Sequence, residues 1–231
     1  MAKQLDLQEQ EQVDAIKAFW SQYGNLVTWV VTILLLGYAG FMGWSRGEQE
    51  EGRQASTLYA QVEDAATSGD VARAQRIFDD MKSHRPWYML PSLTPPPAYT
   101  QQAGLMLSKL QVGKGKAADA LVTLRWVAQN GNAENAAVAR LALAGILADQ
   151  KKFDDALKEL AAVTNPAFNG LVADRRGDIL LAQGQRDAAR TAYRAAFDAM
   201  PATTQYRVLV EAKLATLGGV PASAAASGAT P

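Results

Sequence analysis

Hydrophobic and polar positions divide this chain sharply. Residues 26–44, LVTWVVTILLLGYAGFMGW, carry no charged side chain. At about 1.5 Å rise per residue such a helix spans roughly 28 Å, close to the roughly 30 Å hydrocarbon core of a bilayer. The pattern predicts a transmembrane anchor with Trp29, Tyr38 and Trp44 toward its ends, where aromatic belts lie. A cleavable leader is disfavoured. Lys3 and Lys17 are outnumbered by Asp6, Glu9, Glu11 and Asp14, the apolar run is too long, and no small-x-small cleavage site follows. Ahead of the anchor, residues 1–25 form an arm in which Val13, Ile16, Phe19, Trp20 and Tyr23 recur at helical spacing. That stripe predicts an amphipathic helix at the membrane edge, a pattern shared by helices that simply lie on the interface. Within the anchor, Gly37, Gly40 and Gly43 offer a small-residue face for packing against another transmembrane helix.

Beyond the anchor, residues 45–217 show alanine-rich helical periodicity with short Gly-containing breaks and no period-two alternation, so the fold class is all-α. A proline-rich insertion, PWYMLPSLTPPP at 86–97, interrupts the helices because proline lacks the backbone donor. The tail, 218–231, has too little apolar area to fold and reads as disordered. The helical region repeats itself. Ala144, Leu147, Ala156, Leu160 and Val163 match Gly177, Leu180, Ala189, Tyr193 and Ala196 at an offset of 33, and Pro201 closes the last unit. Ser108, Ala120, Leu124 and Val127 fit at an offset of 36, and a degenerate unit near Leu58 places Ala74, Phe78 and Met81 on the second-helix marks. Small residues at the first and third marks let antiparallel helices approach, and the bulky residue four positions on packs between them. These marks resemble the tetratricopeptide repeat, most fully in the last copy. The alternative is an ordinary alanine-rich bundle, which the weaker marks of the first two copies fit but the last copy disfavours.

Such repeats stack into a concave surface lined by the first helix of each pair. In that register a partner-binding groove would present Gln102, Leu105 and Lys109, then Val138 and Leu141, then Leu171, Asp174 and Asp178. The surface is apolar with an acidic corner, although Leu105, Leu141 and Leu171 suit a hydrophobic core equally well. Repeats that clamp a C-terminal carboxylate cluster Lys, Arg and Asn on this face, and Lys109 alone does not make that clamp.

Composition narrows the chemistry. The 23 basic and 23 acidic residues cancel, without the basic stripe of a nucleic-acid binder. Zero cysteines exclude thiolate metal sites and a cysteine nucleophile, and one histidine, His84, expected at an exposed helix end, leaves no metal cluster. Asp79 with Asp80, and Asp154 with Asp155, are adjacent and point about 100° apart on a helix, so neither pair shares a proton. Asp174 and Asp178 share a face but read as solvated. VGKGK at Val112 and GGV at Gly218 lack the spacing of a phosphate loop. The sequence therefore predicts no catalytic residue, metal or cofactor, and a chain that is not an enzyme.

The order of parts is similar to a known family. The arm EQEQVDAIKAFWSQYGN, one anchor and a degenerate repeat ending in DRRGDILLAQGQRDAARTAYRAAF resemble the YfgM-like ancillary subunits of the bacterial SecYEG translocon. The residues that carry most weight are Gln12, Lys17, Trp20 and Gly24 in the arm, with Arg176, Gly177, Asp178, Gly184, Ala189, Arg190 and Tyr193 near the end. The resemblance implies a single-pass inner-membrane protein, arm in the cytoplasm and repeats in the periplasm. It also implies association with the SecYEG channel and a membrane-anchored periplasmic chaperone, and hand-over of client polypeptides. The proline-rich insertion departs from the family. Charge alone leaves orientation open, since Lys17 precedes the anchor and Arg46 and Arg53 follow it. A cytoplasm-facing scaffold that recruits soluble partners fits the same flanks.

Overall fold

The computed structural model describes residues 7–83 and 96–219, with side chains at 17–42, 53–83 and 96–219. His84, most of the insertion at 86–97, the tail from residue 220 and the side chains of Val13, Ile16 and Trp44 lie outside the described residues, as does the surrounding of Gly43. The chain divides into two units, Met1–Gln54 and Ala55–Pro231. Helix α1 (Leu7–Ser68) supplies the first unit and opens the second. No strand occurs among the described residues, so the chain is all-α as its periodicity predicts.

In the first unit, the segment Lys17–Met42 is long and apolar enough to cross a membrane. The helix runs unbroken through Phe19, Trp20 and Tyr23 into this apolar stretch. Phe19 and Tyr23 lie with centroids 5.3 Å apart, as residues one turn apart on a helix do. Thr28 donates to the Gly24 carbonyl at 2.7 Å and Thr32 to the Thr28 carbonyl at 2.7 Å. Both hydroxyls are thus satisfied within the helix, as an apolar medium requires. The space beside Gly37 and Gly40 is open.

In the second unit, the end of α1 pairs with α2 (Val71–Ser83), α3 (Ala98–Gly113) with α4 (Ala117–Asn130), α5 (Ala133–Asp149) with α6 (Phe153–Ala161), and α7 (Asn169–Ala182) with α8 (Arg186–Ala199). A final helix, α9 (Tyr206–Thr216), packs on α8. The turn inside each pair has one construction. Residues Gly69, Gly115, Lys151 and Gly184 adopt positive φ (75°, 73°, 60° and 80°), and the next residue's amide reaches back five positions. Those bonds are Asp70 N–H to Ala65, Lys116 to Gln111, Lys152 to Leu147 and Gln185 to Leu180, at 2.8 to 2.9 Å. They satisfy carbonyls that the ending helix leaves free. The turn after α9 is the same, with Gly218 at φ 75° and the Gly219 amide on the Leu214 carbonyl. Gly218 and Gly219 therefore close the last helix.

The repeat marks are the core. Ala74, Ala120, Ala156 and Ala189 are wholly buried, and Phe78, Leu124, Leu160 and Tyr193, four residues on, fill the space between helices. Val127 and Ala196 are buried at the next mark, whereas Val163 is only half-buried. The reason is local. Asn165 caps a short 3₁₀ turn beginning at Pro166, so α6 stops at Ala161, before Val163. Trp126 joins the core under α1–α3 to the core under α4–α6, meeting the Phe78 ring edge-on at 5.2 Å.

Candidate binding groove

Helices α3 and α5 are the first helices of adjacent pairs, and both turn one face toward a common cavity of about 680 Å³. Five of the eight groove positions chosen from the repeat register line it: Gln102, Leu105 and Lys109 on α3, and Val138 and Leu141 on α5. Periodicity explains this, because residues three, four and seven apart share a helix face. The walls are mostly apolar, with Met106, Val112, Ala142 and Ile146 filling between the predicted positions. The volume falls in the range of roughly 300–1,000 Å³ typical of ligand clefts.

Two features of the cavity were not expected. Gly145 lies on the wall, and a Cβ built there would meet nothing within 4 Å. Asp149 at the end of α5 and Arg175 on α7 bring opposite charges to its margin. Lys109 and Asp149 have no ionic or hydrogen-bonding partner among the described residues. The signal was present in the sequence: the offsets of 36 and 33 place Gly145 at the register of Lys109 and Asp178.

The acidic corner lies elsewhere. Leu171, Asp174 and Asp178 do not line this cavity, and Asp174 is 2% exposed instead of solvated. Asp174 accepts hydrogen bonds from the Tyr206 hydroxyl at 2.7 Å and the Lys213 ammonium at 2.8 and 3.0 Å. Asp178 accepts from Lys213 at 2.7 Å and from the Tyr193 hydroxyl at 2.8 Å, with Arg175 at 3.7 Å. The physical reason is that α9 occupies the place of a next first helix, and its cation meets the acids that would otherwise face solvent. Burial, then the hydrogen bond to Asp178, pushes the Tyr193 hydroxyl pKa up, and burial with the bond to Asp174 raises that of Tyr206. Burial alone would lower the Lys213 pKa, but its bonds to Asp174 and Asp178 outweigh it and hold the ammonium charged. Every carboxylate here is committed to a cation or hydroxyl, an arrangement that fastens α9 and leaves no free general base.

A different buried amide organises the entrance to α3. Gln101 donates to the Pro96 carbonyl at 2.6 Å, and its oxygen accepts from the Asn132 amide at 2.9 Å and the Asn135 side chain at 2.8 Å. It thereby ties the start of α3 to the α4–α5 turn and fixes the angle at which Gln102 and Leu105 face the cavity. Among the described residues, no group of three or more His, Cys, Asp or Glu could hold a metal ion.

Comparison with known proteins agrees with this architecture. The family model described as a tetratricopeptide repeat-like domain matches residues 17–219. Three curated relatives bear the name ancillary SecYEG translocon subunit. That of Neisseria gonorrhoeae is 26% identical over 212 residues, 91% of this chain and 98% of its own. That of Escherichia coli is 27% identical over 203 residues (85% and 92%), and that of Aggregatibacter actinomycetemcomitans 25% over 207 residues (88% and 96%). No solved structure matches the chain. The resemblance drawn from arm, anchor and repeat is thus reproduced by whole-length similarity. On its helix pairs, their shared turns and a match that runs from Lys17 to Gly219, the chain belongs to the tetratricopeptide repeat-like domain family.

Proposed function

We propose that this chain is a non-enzymatic, single-pass inner-membrane binding module that works beside the SecYEG channel and passes emerging secreted or outer-membrane polypeptides to a membrane-anchored periplasmic chaperone. One observation carries the reading: three relatives named ancillary SecYEG translocon subunits align over 92–98% of their own lengths, anchor and repeats together. In this reading the anchor keeps the α3–α5 groove at the membrane surface, where a chain leaving the channel is most concentrated. Binding, and not turnover, is the output of the groove. Its walls are apolar, and the carboxylates nearest to a catalytic arrangement, Asp174 and Asp178, are held by Lys213.

The orientation in this proposal has the arm in the cytoplasm and the repeats in the periplasm. A reporter active only in the periplasm, fused after Pro231, is expected to be active. Activity confined to a cytoplasmic reporter would sink the orientation and favour the cytoplasm-facing scaffold. The partners are tested by crosslinking in native membranes with identification of the captured proteins. Channel subunits and a periplasmic chaperone are expected, and recovery of neither overturns the proposal.

A further inference from the structure

Between Tyr23 and Met42 the anchor carries three side chains with an amide or an aliphatic hydroxyl: Asn25, Thr28 and Thr32. All of them fall on one line. With Ser21 before them and Leu35, Ala39 and Met42 after them, they recur at alternating steps of four and three residues. That spacing holds a seam on one side of a helix wound around a second helix. Leu26, Val30, Leu34 and Phe41 point the other way and are exposed, as residues facing lipid are. Gly37 also lies on that outer side, so the seam is distinct from the glycine row.

Counted from the span Lys17–Met42 at about 1.5 Å per residue, all three polar residues lie within about 7 Å of its midpoint, inside a hydrocarbon core roughly 30 Å thick. Thr28 and Thr32 give their hydroxyl protons to carbonyls of their own helix, which leaves the hydroxyl oxygens free to accept. Asn25 has no such outlet. Its amide makes no hydrogen bond among the described residues, and an unpaired amide is costly in hydrocarbon. Copies of one single-pass chain insert in the same direction, so Asn25 of one copy reaches Asn25 of another at equal depth. An amide is donor and acceptor at once and complements itself. A foreign helix would need its own polar group at that depth, whereas a second copy brings one by construction.

We propose that the seam running from Asn25 through Thr28 and Thr32 to Ala39 is an interface between two copies of this chain. The two anchors run parallel and wind left-handed, with the Asn25 amides hydrogen-bonded to each other across a two-fold axis. This rests on the part of the reading above that puts the segment through the membrane. It adds a partner for the anchor, and a paired anchor brings two grooves to one place, where a polypeptide meeting both is held longer.

The chain has no cysteine, so cysteines introduced singly report without background. They are placed one at a time from position 28 to position 41 of the full chain in native membranes, and disulfide formation is read after mild oxidation. Strong crosslinks between copies are expected at Thr28→Cys, Thr32→Cys, Leu35→Cys and Ala39→Cys, and weak ones at Val30→Cys, Leu34→Cys and Gly37→Cys. For the purified full chain in detergent micelles, dimerisation is followed by energy transfer between labelled copies. Asn25→Leu is expected to weaken it by about tenfold, and Asn25→Gln, which keeps the amide, to retain it. Equal crosslinking all round the helix, maxima on the Val30 side, or dimerisation of Asn25→Leu equal to that of the parent chain overturns the proposal. Seam cysteines that join a channel subunit in place of a second copy overturn it as well. If copies crosslink along the seam and native membranes yield no channel subunit, the interface stands and the translocon reading falls. If channel subunits are captured while no two copies join, that reading stands and the interface falls.

Discussion

Gly177→Ala tests whether the last repeat is held by shape. A Cβ at this position would lie 2.5, 2.6 and 3.0 Å from the Cε1, Cδ1 and Cζ atoms of Tyr193, against about 3.5–4.0 Å for an unstrained contact. The ring must retreat by about 1 Å, yet it is 1% exposed and its hydroxyl is tied to Asp178 at 2.8 Å. Overpacking of this kind costs roughly 1–3 kcal/mol. Alanine in place of glycine inside a helix returns about 1 kcal/mol. The expected net loss is about 1 kcal/mol, or about 2–4 °C in melting temperature for a domain of this size. The aligned pairs in the chain suggest the compensation. Ala144 stands in register with Gly177 where Leu160 replaces Tyr193, and Ser108 does so where the partner is Leu124. Tyr193→Leu alone leaves a cavity and costs about 2–4 kcal/mol. Adding Gly177→Ala to it fills part of that space, so the double variant is expected to be more stable than the sum of the singles by about 1–2 kcal/mol. Circular-dichroism melts of the full chain in detergent read all three variants. Melting of Gly177→Ala at or above the parent temperature, together with strict additivity in the double variant, would refute the steric account.

Lys151 holds φ 60° where the other turns use glycine, so Lys151→Gly is expected to stabilise the chain by about 1 kcal/mol, seen as a higher midpoint in urea. Asp174→Asn removes the buried partner of Lys213 and should destabilise by about 2–4 kcal/mol; an unchanged melt would show that the ion pair does not fasten α9. Tyr206, with an ordinary value of 10.0, has its pKa raised in the folded chain. Its contribution is therefore complete below that value and lost as pH rises through the higher folded value, because the unfolded tyrosine releases its proton first. Melting temperature is expected to fall more steeply on the alkaline side of 10.0 for the parent than for Tyr206→Phe, and parallel pH profiles would contradict the assignment.

How far the fold was legible depended on the range of the interaction. Ala156, Leu160, Ala189 and Tyr193 were readable because helix pairing acts through fixed local spacing, and the packed core uses those positions. Val163 broke the alignment through Pro166, a stop signal three residues on whose effect on the preceding turn the repeat comparison overlooked. Lys213 is 39 residues from Asp174, and no spacing rule links an acid on one helix to a cation on a helix outside the aligned repeats. The groove was traced through Leu105, Val138 and Leu141 by register alone. Gly145 escaped because a search for recognition looks for side chains, and glycine offers none. Gln101 escaped for another reason: its neighbour Gln102 is the exposed one, and sequence does not say which of two adjacent amides turns inward.

The closing turn after α9 gives the repeat unit a polarity. By its hydrogen bonds α9 ends as the first helix of a pair does, and among the described residues no second helix follows it. In a stacked array each unit is stabilised mainly by its neighbours, and among the described residues α9 has a neighbouring unit on one side. Opening should then begin at α9 and travel inward, with Val208 and Leu209, already exposed, as the first surface to lose its support. The α3 and α5 walls of the cavity lie beyond the α7–α8 pair from that end. Partial unfolding can come and go at α9 while the α3 and α5 walls keep their geometry, so α9 acts as a sacrificial edge for the groove.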